Sequence, residues 1–427
     1  MDLISDRRAL HRIPELDRDL PETLGYLRSV LEPLPCLLFS PAKSALCAFF
    51  DFGQDHSLAF RADMDALPVA EETGLPFASC HPGRMHACGH DGHMAIVLEL
   101  ARRLARQRSL PHNVLLVFQP AEETTGGARA ICETGVFAQY RTRAIFGLHL
   151  WPDLPAGVLA SMPGGMMCRS SEVTLSVTGQ RAHVARASLG RDALEAAARW
   201  YLAALDQERQ LPPGEPRLLK FGRFQAGTVR NALAGSARLE GTLRAFRDPV
   251  FDRLRNTLET LAEEIAADSG CSLNLTFSEG YPAVWNPPEL LAQVEALWPL
   301  TRMDRPVLIT EDFSWYQRYL PGLFFFLGCG PAPALHSPGF QFDEGVLSRG
   351  VDLFARIALG IYHMPGQHHP FFNTVITCHH GIDGIIDRCI IQITQIAQMP
   401  AVDPDHWDIF SKNILCSPDH RTVTAGN

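Results

Sequence analysis

The sequence predicts an α/β fold in which one domain with a mixed, largely parallel sheet is interrupted by a compact ferredoxin-like α+β insert. Three observations lead there. Short continuous apolar runs, such as residues 113–118, recur with helical stretches between them, as buried parallel strands do. Several of these runs end in acidic or imidazole side chains, and open α/β sheets form their ligand sites at the carboxyl ends of strands. Between Met167 and Glu279 the rhythm changes to β-α-β-β-α-β, the succession of a ferredoxin-like unit.

Taken in order, residues 7–30 read as an opening helix, with Leu10, Ile13 and Leu16 on one side and prolines interrupting it. Apolar runs at 45–50 and 58–60 follow, the second leading into Arg61-Ala62-Asp63-Met64-Asp65. Burying unpaired carboxylates is costly, so a strand that ends this way suggests a site. Alone, Asp63 and Asp65 read equally as turn residues. The stretch Met85-His86-Ala87-Cys88-Gly89-His90-Asp91-Gly92-His93-Met94 carries three imidazoles, a thiol and a carboxylate. Thiolate and imidazole together favour a zinc-like ion over magnesium or calcium. A helix follows, with Met94, Val97, Leu98, Ala101 and Leu104 on its apolar face and Asp91 placed to cap its first turn.

The run at 113–118 ends in Gln119-Pro120-Ala121-Glu122-Glu123. Adjacent carboxylates point in different directions, so one can bind metal while its neighbour meets a water as general base. A third run, 144–148, ends in His149. Alone, His149 is a core histidine; in series with the other strand ends it reads as a ligand.

Within the insert, a strand at 171–177 leads through Arg181-Ala182-His183 to an alanine-rich helix at 192–207. Strands at 218–224 and 237–246, a helix at 249–267 and a strand at 272–277 complete the set. Residues 167–279 are thus expected as a second domain, placed between the two parts of the first at 1–166 and 280–362. The returning part holds a helix at 288–297, the segment Thr310-Glu311-Asp312-Phe313-Ser314 and a buried strand at 323–327. A Gly/Pro-rich loop then presents Leu335-His336-Ser337-Pro338 before a final helix at 343–361. Residues 363–427 read as a poorly specified extension without function. They hold seven of the 17 histidines and three of the 11 cysteines, yet Cys378-His379-His380 with Cys389 lacks the paired spacing of zinc modules. The apolar stretch at 385–396 has no partner elements in this reading.

Composition narrows the classes of function. At 427 residues, 46% hydrophobic and 20% charged, the chain suits an ordinary globular protein of about two domains. A net charge of −9 with no basic run argues against nucleic-acid binding. No stretch reaches the ~20 apolar residues of a membrane span, and the first residues lack a signal peptide's apolar core. Scattered cysteines without a disulfide rhythm fit a cytoplasmic location.

With these pieces assembled, the chain resembles the M20 metallopeptidase superfamily in its amidohydrolase branch, which includes hippurate hydrolases, N-acetyldiaminopimelate deacetylases and auxin-conjugate hydrolases. The resemblance rests on residues 8–16, 61–68 and 85–94, Gln119-Pro120-Ala121-Glu122-Glu123, Gly147-Leu148-His149, Gly241-Thr242-Leu243-Arg244, Glu311-Asp312-Phe313 and Leu335-His336-Ser337-Pro338. It implies a zinc-peptidase-like catalytic domain and two divalent ions (zinc, manganese, cobalt or nickel), held by Cys88, His90, Glu123, His149 and His336. It further implies Glu122 as general base and Asp65 as a carboxylate orienting a metal ligand. His183 would stabilise the oxyanion, often across a homodimer formed through the insert, while Asn231 and Arg244 would hold the substrate. Two stretches depart from the family's pattern: His183 lacks small residues on both sides, and Ala232-Leu233-Ala234 follows Asn231 where a proline is common. The implied reaction is hydrolysis of a small N-acyl amino acid. The rivals are a dipeptidase or aminopeptidase on the same scaffold and an inactive, metal-stabilised binding protein.

Overall fold

The structure, a computed structural model, describes residues 2–360, 374–380 and 386–393. The chain divides into two units, Met1–Tyr362 and His363–Asn427. The first unit opens with α1 (Leu3–His11) and α2 (Pro21–Leu31), two helices where one interrupted helix was expected. Pro14 cannot continue a helix from Ile13, and the Glu15 carboxylate instead accepts the backbone N–H groups of Glu22 and Thr23 at 3.1 and 2.8 Å. That carboxylate caps α2 and fixes a sharp turn between the helices.

Strands β1 (Leu37–Phe39), β2 (Leu46–Phe50) and β3 (Ser57–Asp63) precede α3 (His90–Ala105), β4 (Asn113–Gln119), α4 (Ala128–Glu133), α5 (Val136–Gln139) and β5 (Thr142–Pro155). All seven residues of β3 and of β4 are buried, as in strands covered on both faces. Then come β6 (Leu159–Ser161), β7 (Gly164–Met167), β8 (Arg169–Thr178), α6 (Ala193–Gln210), β9 (Arg217–Ala226), β10 (Ser236–Ala245), α7 (Asp248–Ser269) and β11 (Ser272–Phe277). The last elements of the unit are β12 (Val284–Asn286), α8 (Pro288–Leu297), β13 (Thr301–Arg302), β14 (Gly322–Gly330) and α9 (Leu347–Gly360).

Among the described residues, eight strands form a mixed sheet in the order β1-β2-β4-β3-β5-β14-β6-β13. Its centre is parallel: β3 runs with both β4 and β5, and β5 with β14. The carboxyl ends of three adjacent strands therefore open on one edge, which brings Asp63, Gln119 and His149 together. β3 and β5 last pair at Arg61 and Gly147, so two residues further on His149 comes level with Asp63 at the end of β3.

A separate sheet in the order β11-β8-β10-β9 is antiparallel throughout. Its inner face follows the period of two: Val173, Leu175 and Val177 of β8 are buried and alternate with more exposed residues. α6 and α7 cover that face around Trp200, Leu254 and Leu258, and the Trp200 indole N–H finds the Leu258 carbonyl at 3.1 Å. In the second unit, Thr374–His380 pairs antiparallel with Ile386–Ile393, so the apolar stretch of the extension has a strand partner, against expectation. The rest of that extension lies outside the described residues.

Candidate metal centre and cleft

The loop before α3 is bent by Gly89, which holds a left-handed φ of 86° at the helix N-cap. A Cβ there would lie 2.8 Å from the Leu150 side chain. The bend separates Cys88 from His90 and turns both inwards. Gly89→Ala should cost about 1–3 kcal/mol of stability and lower metal occupancy, measured by urea unfolding and elemental analysis. An unchanged midpoint and metal content would show that the bend is dispensable.

Asp91 does not cap α3. It sits in the first turn, fully buried, with Oδ2 2.9 Å from Arg7 Nε and 2.7 Å from His11 Nδ1. Its backbone is already helical, whereas a capping residue needs extended geometry. The pair ties α1 to the start of α3.

Hydrogen bonds orient the imidazoles. His90 Nδ1 donates to the Asp65 carbonyl at 2.7 Å and His149 Nδ1 to the Leu150 carbonyl at 2.6 Å, leaving each Nε2 facing the cluster. The loop carrying His336 is anchored by its own N–H on the Ala87 carbonyl at 2.9 Å. Cys88 Sγ then lies 3.3 Å from both His149 Nε2 and His336 Nε2, and His336 Nε2 is 3.3 Å from Glu123 Oε1. Two triads result, Cys88–His90–His149 and Cys88–Glu123–His336, each with its donor atoms within 4.8 Å of one another. They share the thiol. His93, in contrast, spends both nitrogens, Nδ1 on Asp63 at 2.7 Å and Nε2 on the Leu150 N–H at 2.9 Å.

The donor set suits a divalent cation. His90 Nε2 and Glu123 Oε1 are buried without an aligned hydrogen bond among the described residues, although each faces the triads. Buried polar atoms are seldom left so. Burial and the nearby Glu123 and Glu122 carboxylates push the Cys88 thiol well above its ordinary range, so a thiolate here calls for positive charge. Burial, followed by His93, drives His149 down to about 3 and keeps it neutral, as a ligand must be. Burial opposes a charge on His90, but Asp63, Glu123 and Asp65 raise it to about 9. A cation would take the place of that proton.

Asp65 acts through the backbone. Its two oxygens accept the N–H groups of Glu122 and Glu123 at 2.9 and 3.0 Å, fixing the turn in which Ala121 adopts a φ of 59°. Glu122 thereby sits between two groups of side chains. One of its carboxylate oxygens is within 4.8 Å of His90 and Glu123 atoms, and likewise of Glu311 and Asp312.

Beneath this lies a buried network in which motif reading assigned no roles. Arg61 donates to Gln119 (2.9 Å), Asp63 (2.7 Å), Glu311 (2.8 Å) and Asp312 (2.9 Å). Gln119 Nε2 and the backbone N–H groups of Gly127 and Ala128 complete the shell of Asp312. The signal was an arginine inside an apolar run, since a buried guanidinium demands carboxylates.

A cleft of about 1070 Å³ opens over the cluster, lined among others by Cys88, Glu122, Glu123, His149, Glu311 and His336. Arg244 lines it too, donating to the Leu308 carbonyl while its buried Nε has no hydrogen-bond partner among the described residues. His183 and Asn231 are not in that lining. They sit together on an exposed surface beside the four-stranded sheet, where Val184 N donates to the Asn231 carbonyl at 3.2 Å.

The profile of peptidase family M20/M25/M40 matches residues 59–360. An N-acetyldiaminopimelate deacetylase of Shouchella clausii is 34% identical over 360 residues, covering 82% of this chain and 96% of the relative. One from Streptococcus suis is 35% identical over 365 residues, covering 82% and 97%. The solved structure of the Bacillus subtilis YXEP protein, described as a dinuclear metal binding peptidase, superposes with a TM-score of 0.74 at 32% identity, covering 84% of this chain and 96% of that one.

Proposed function

The chain belongs to peptidase family M20/M25/M40 and is a metal-dependent amidohydrolase, and we propose that it cleaves N-acyl amino acids to a carboxylate and a free amino acid. The observation that carries this reading is the pair of triads sharing Cys88, with Glu122 beside them and all of these but the buried His90 lining one cleft. Cys88, His90, Glu123, His149 and His336 would hold two divalent ions. Bound there, such ions lower the pKa of water and polarise an acyl carbonyl.

The chain's own groups do the rest. Glu122 takes a proton from the attacking water as the new C–O bond forms, then delivers it to the nitrogen as the C–N bond breaks. Asp65 keeps Glu122 and Glu123 in register through their amides. Arg244 offers the substrate's carboxylate a charged partner inside the cleft. Residues 167–279 form a domain of their own in this reading, and its exposed His183 and Asn231 would serve the cleft of a second copy.

The deacetylase relatives make N-acetyl amino acids, N-acetyldiaminopimelate among them, the substrates to assay first, beside N-benzoyl amino acids and free dipeptides. Elemental analysis should find roughly two ions per chain, and chelation should abolish turnover and lower the thermal midpoint. Hydrolysis of free dipeptides alone would overturn the substrate assignment. Full activity after chelation would overturn the metal centre.

A further inference from the structure

We propose that Glu311 is a further catalytic residue, whose free carboxylate oxygen accepts the N–H of the scissile amide and so turns the nitrogen lone pair towards Glu122. The inference rests on the amidohydrolase reading above.

Glu311 is only 1% exposed, yet it lines the cleft. Its Oε1 is taken by Arg61 at 2.8 Å and by the Phe313 N–H at 3.0 Å. Its Oε2 accepts no hydrogen bond among the described residues. Arg61 is itself held by Asp63 and Gln119, so the carboxylate has a fixed position rather than a swinging one. A buried acceptor of this kind, aimed into a cleft, selects a ligand with a matching donor. Asp312 is no rival, because Gln119, Gly127, Ala128 and Arg61 already occupy its oxygens.

At the reacting centre of an N-acyl amino acid the donor available is the amide N–H. Its neighbour on the chain side is Glu122, whose carboxylate comes within 4.8 Å of that of Glu311. With the N–H on Glu311, the lone pair of the departing nitrogen faces the group that protonates it. Glu311 neither gains nor loses a proton: the water's proton travels through Glu122 to nitrogen, and the C–N bond breaks to release the amine. Burial pushes the Glu311 carboxyl up to about 8 against the pull of Arg61; with Oε1 held by two N–H donors, the acceptor role belongs to the ionised form, in which Oε2 carries no proton.

The test compares two substrates on the metal-loaded enzyme, an N-acetyl amino acid and the O-acetyl ester of the matching hydroxy acid, which has no N–H. In Glu311→Gln the amide oxygen must turn to Arg61 and Phe313, leaving an NH₂ where the acceptor stood. The expected result is a loss of about 100-fold in kcat/KM on the amide and less than about 3-fold on the ester, with metal content unchanged. Parallel losses on both substrates would mean a structural role and overturn the assignment, as would unchanged amide hydrolysis. Should the glutamine variant fold poorly, Glu311→Asp keeps an acceptor one methylene short and should still lose the amide selectively. A parallel loss there overturns the assignment too. Wild-type enzyme inactive on both substrates would instead sink the amidohydrolase reading, and this inference with it.

Discussion

Glu122→Gln is expected to leave the metal content and thermal midpoint of the protein essentially unchanged while lowering kcat by about 10³-fold or more. The glutamine keeps the volume of the side chain. The contacts that fix residue 122 run through its backbone: its N–H donates to Asp65 at 2.9 Å and its carbonyl accepts from the Tyr281 hydroxyl at 3.1 Å. Neither triad that shares Cys88 includes residue 122, so the cation donors stay in place. What disappears is a carboxylate that can take a proton from water and return it to nitrogen. The loss should therefore fall on kcat and leave KM within a few-fold. Activity within tenfold of wild type would remove Glu122 as the base. Loss of metal together with activity would reassign it as a ligand.

Strand identity and the cluster itself were legible in the sequence because both depend on short-range patterns. The runs that became β3, β4 and β5 are apolar on both faces, and each ends in groups too polar to bury without purpose. Cys88 and His90 announce themselves by spacing. The partners of these groups were less legible, because they come from elements far apart in the chain. Asp91 looked like a helix cap from its position, yet Arg7, more than eighty residues earlier, claims it. Asp65 was expected to orient a metal ligand, with no contact specified. In the fold its carboxylate fastens the backbone amides of Glu122 and Glu123, while its carbonyl takes the His90 Nδ1–H at 2.7 Å and its Oδ1 lies 3.9 Å from that nitrogen. Glu311 and Asp312 were visible as a motif without a task until Arg61 joined them across 250 and 251 residues. Such long-range pairings are set by the parallel sheet, in which neighbours in space are distant in sequence.

That same arginine carries the largest expected effect on stability. Arg61→Met should destabilise the protein by about 3–5 kcal/mol, read from urea unfolding at fixed metal concentration. Methionine fills much of the space but pairs with none of Asp63, Glu311 and Asp312, which are buried to 1% exposure or less. Asp63 shows how strongly the charge is needed: burial favours its neutral form, yet Arg61, His90 and His93 hold it well below the ordinary carboxylate range. Removing one partner of a buried ion group costs far more than never having built it, because the remaining charges stay desolvated. The double variant Arg61→Met with Glu311→Gln therefore supplies the sharper comparison. It removes one of the stranded carboxylates, so its destabilisation should fall short of the sum of the single changes by about 1 kcal/mol or more. Strict additivity would mean that Arg61 and Glu311 act independently, and that the network fixing Glu311 beside Glu122 does not bind them together.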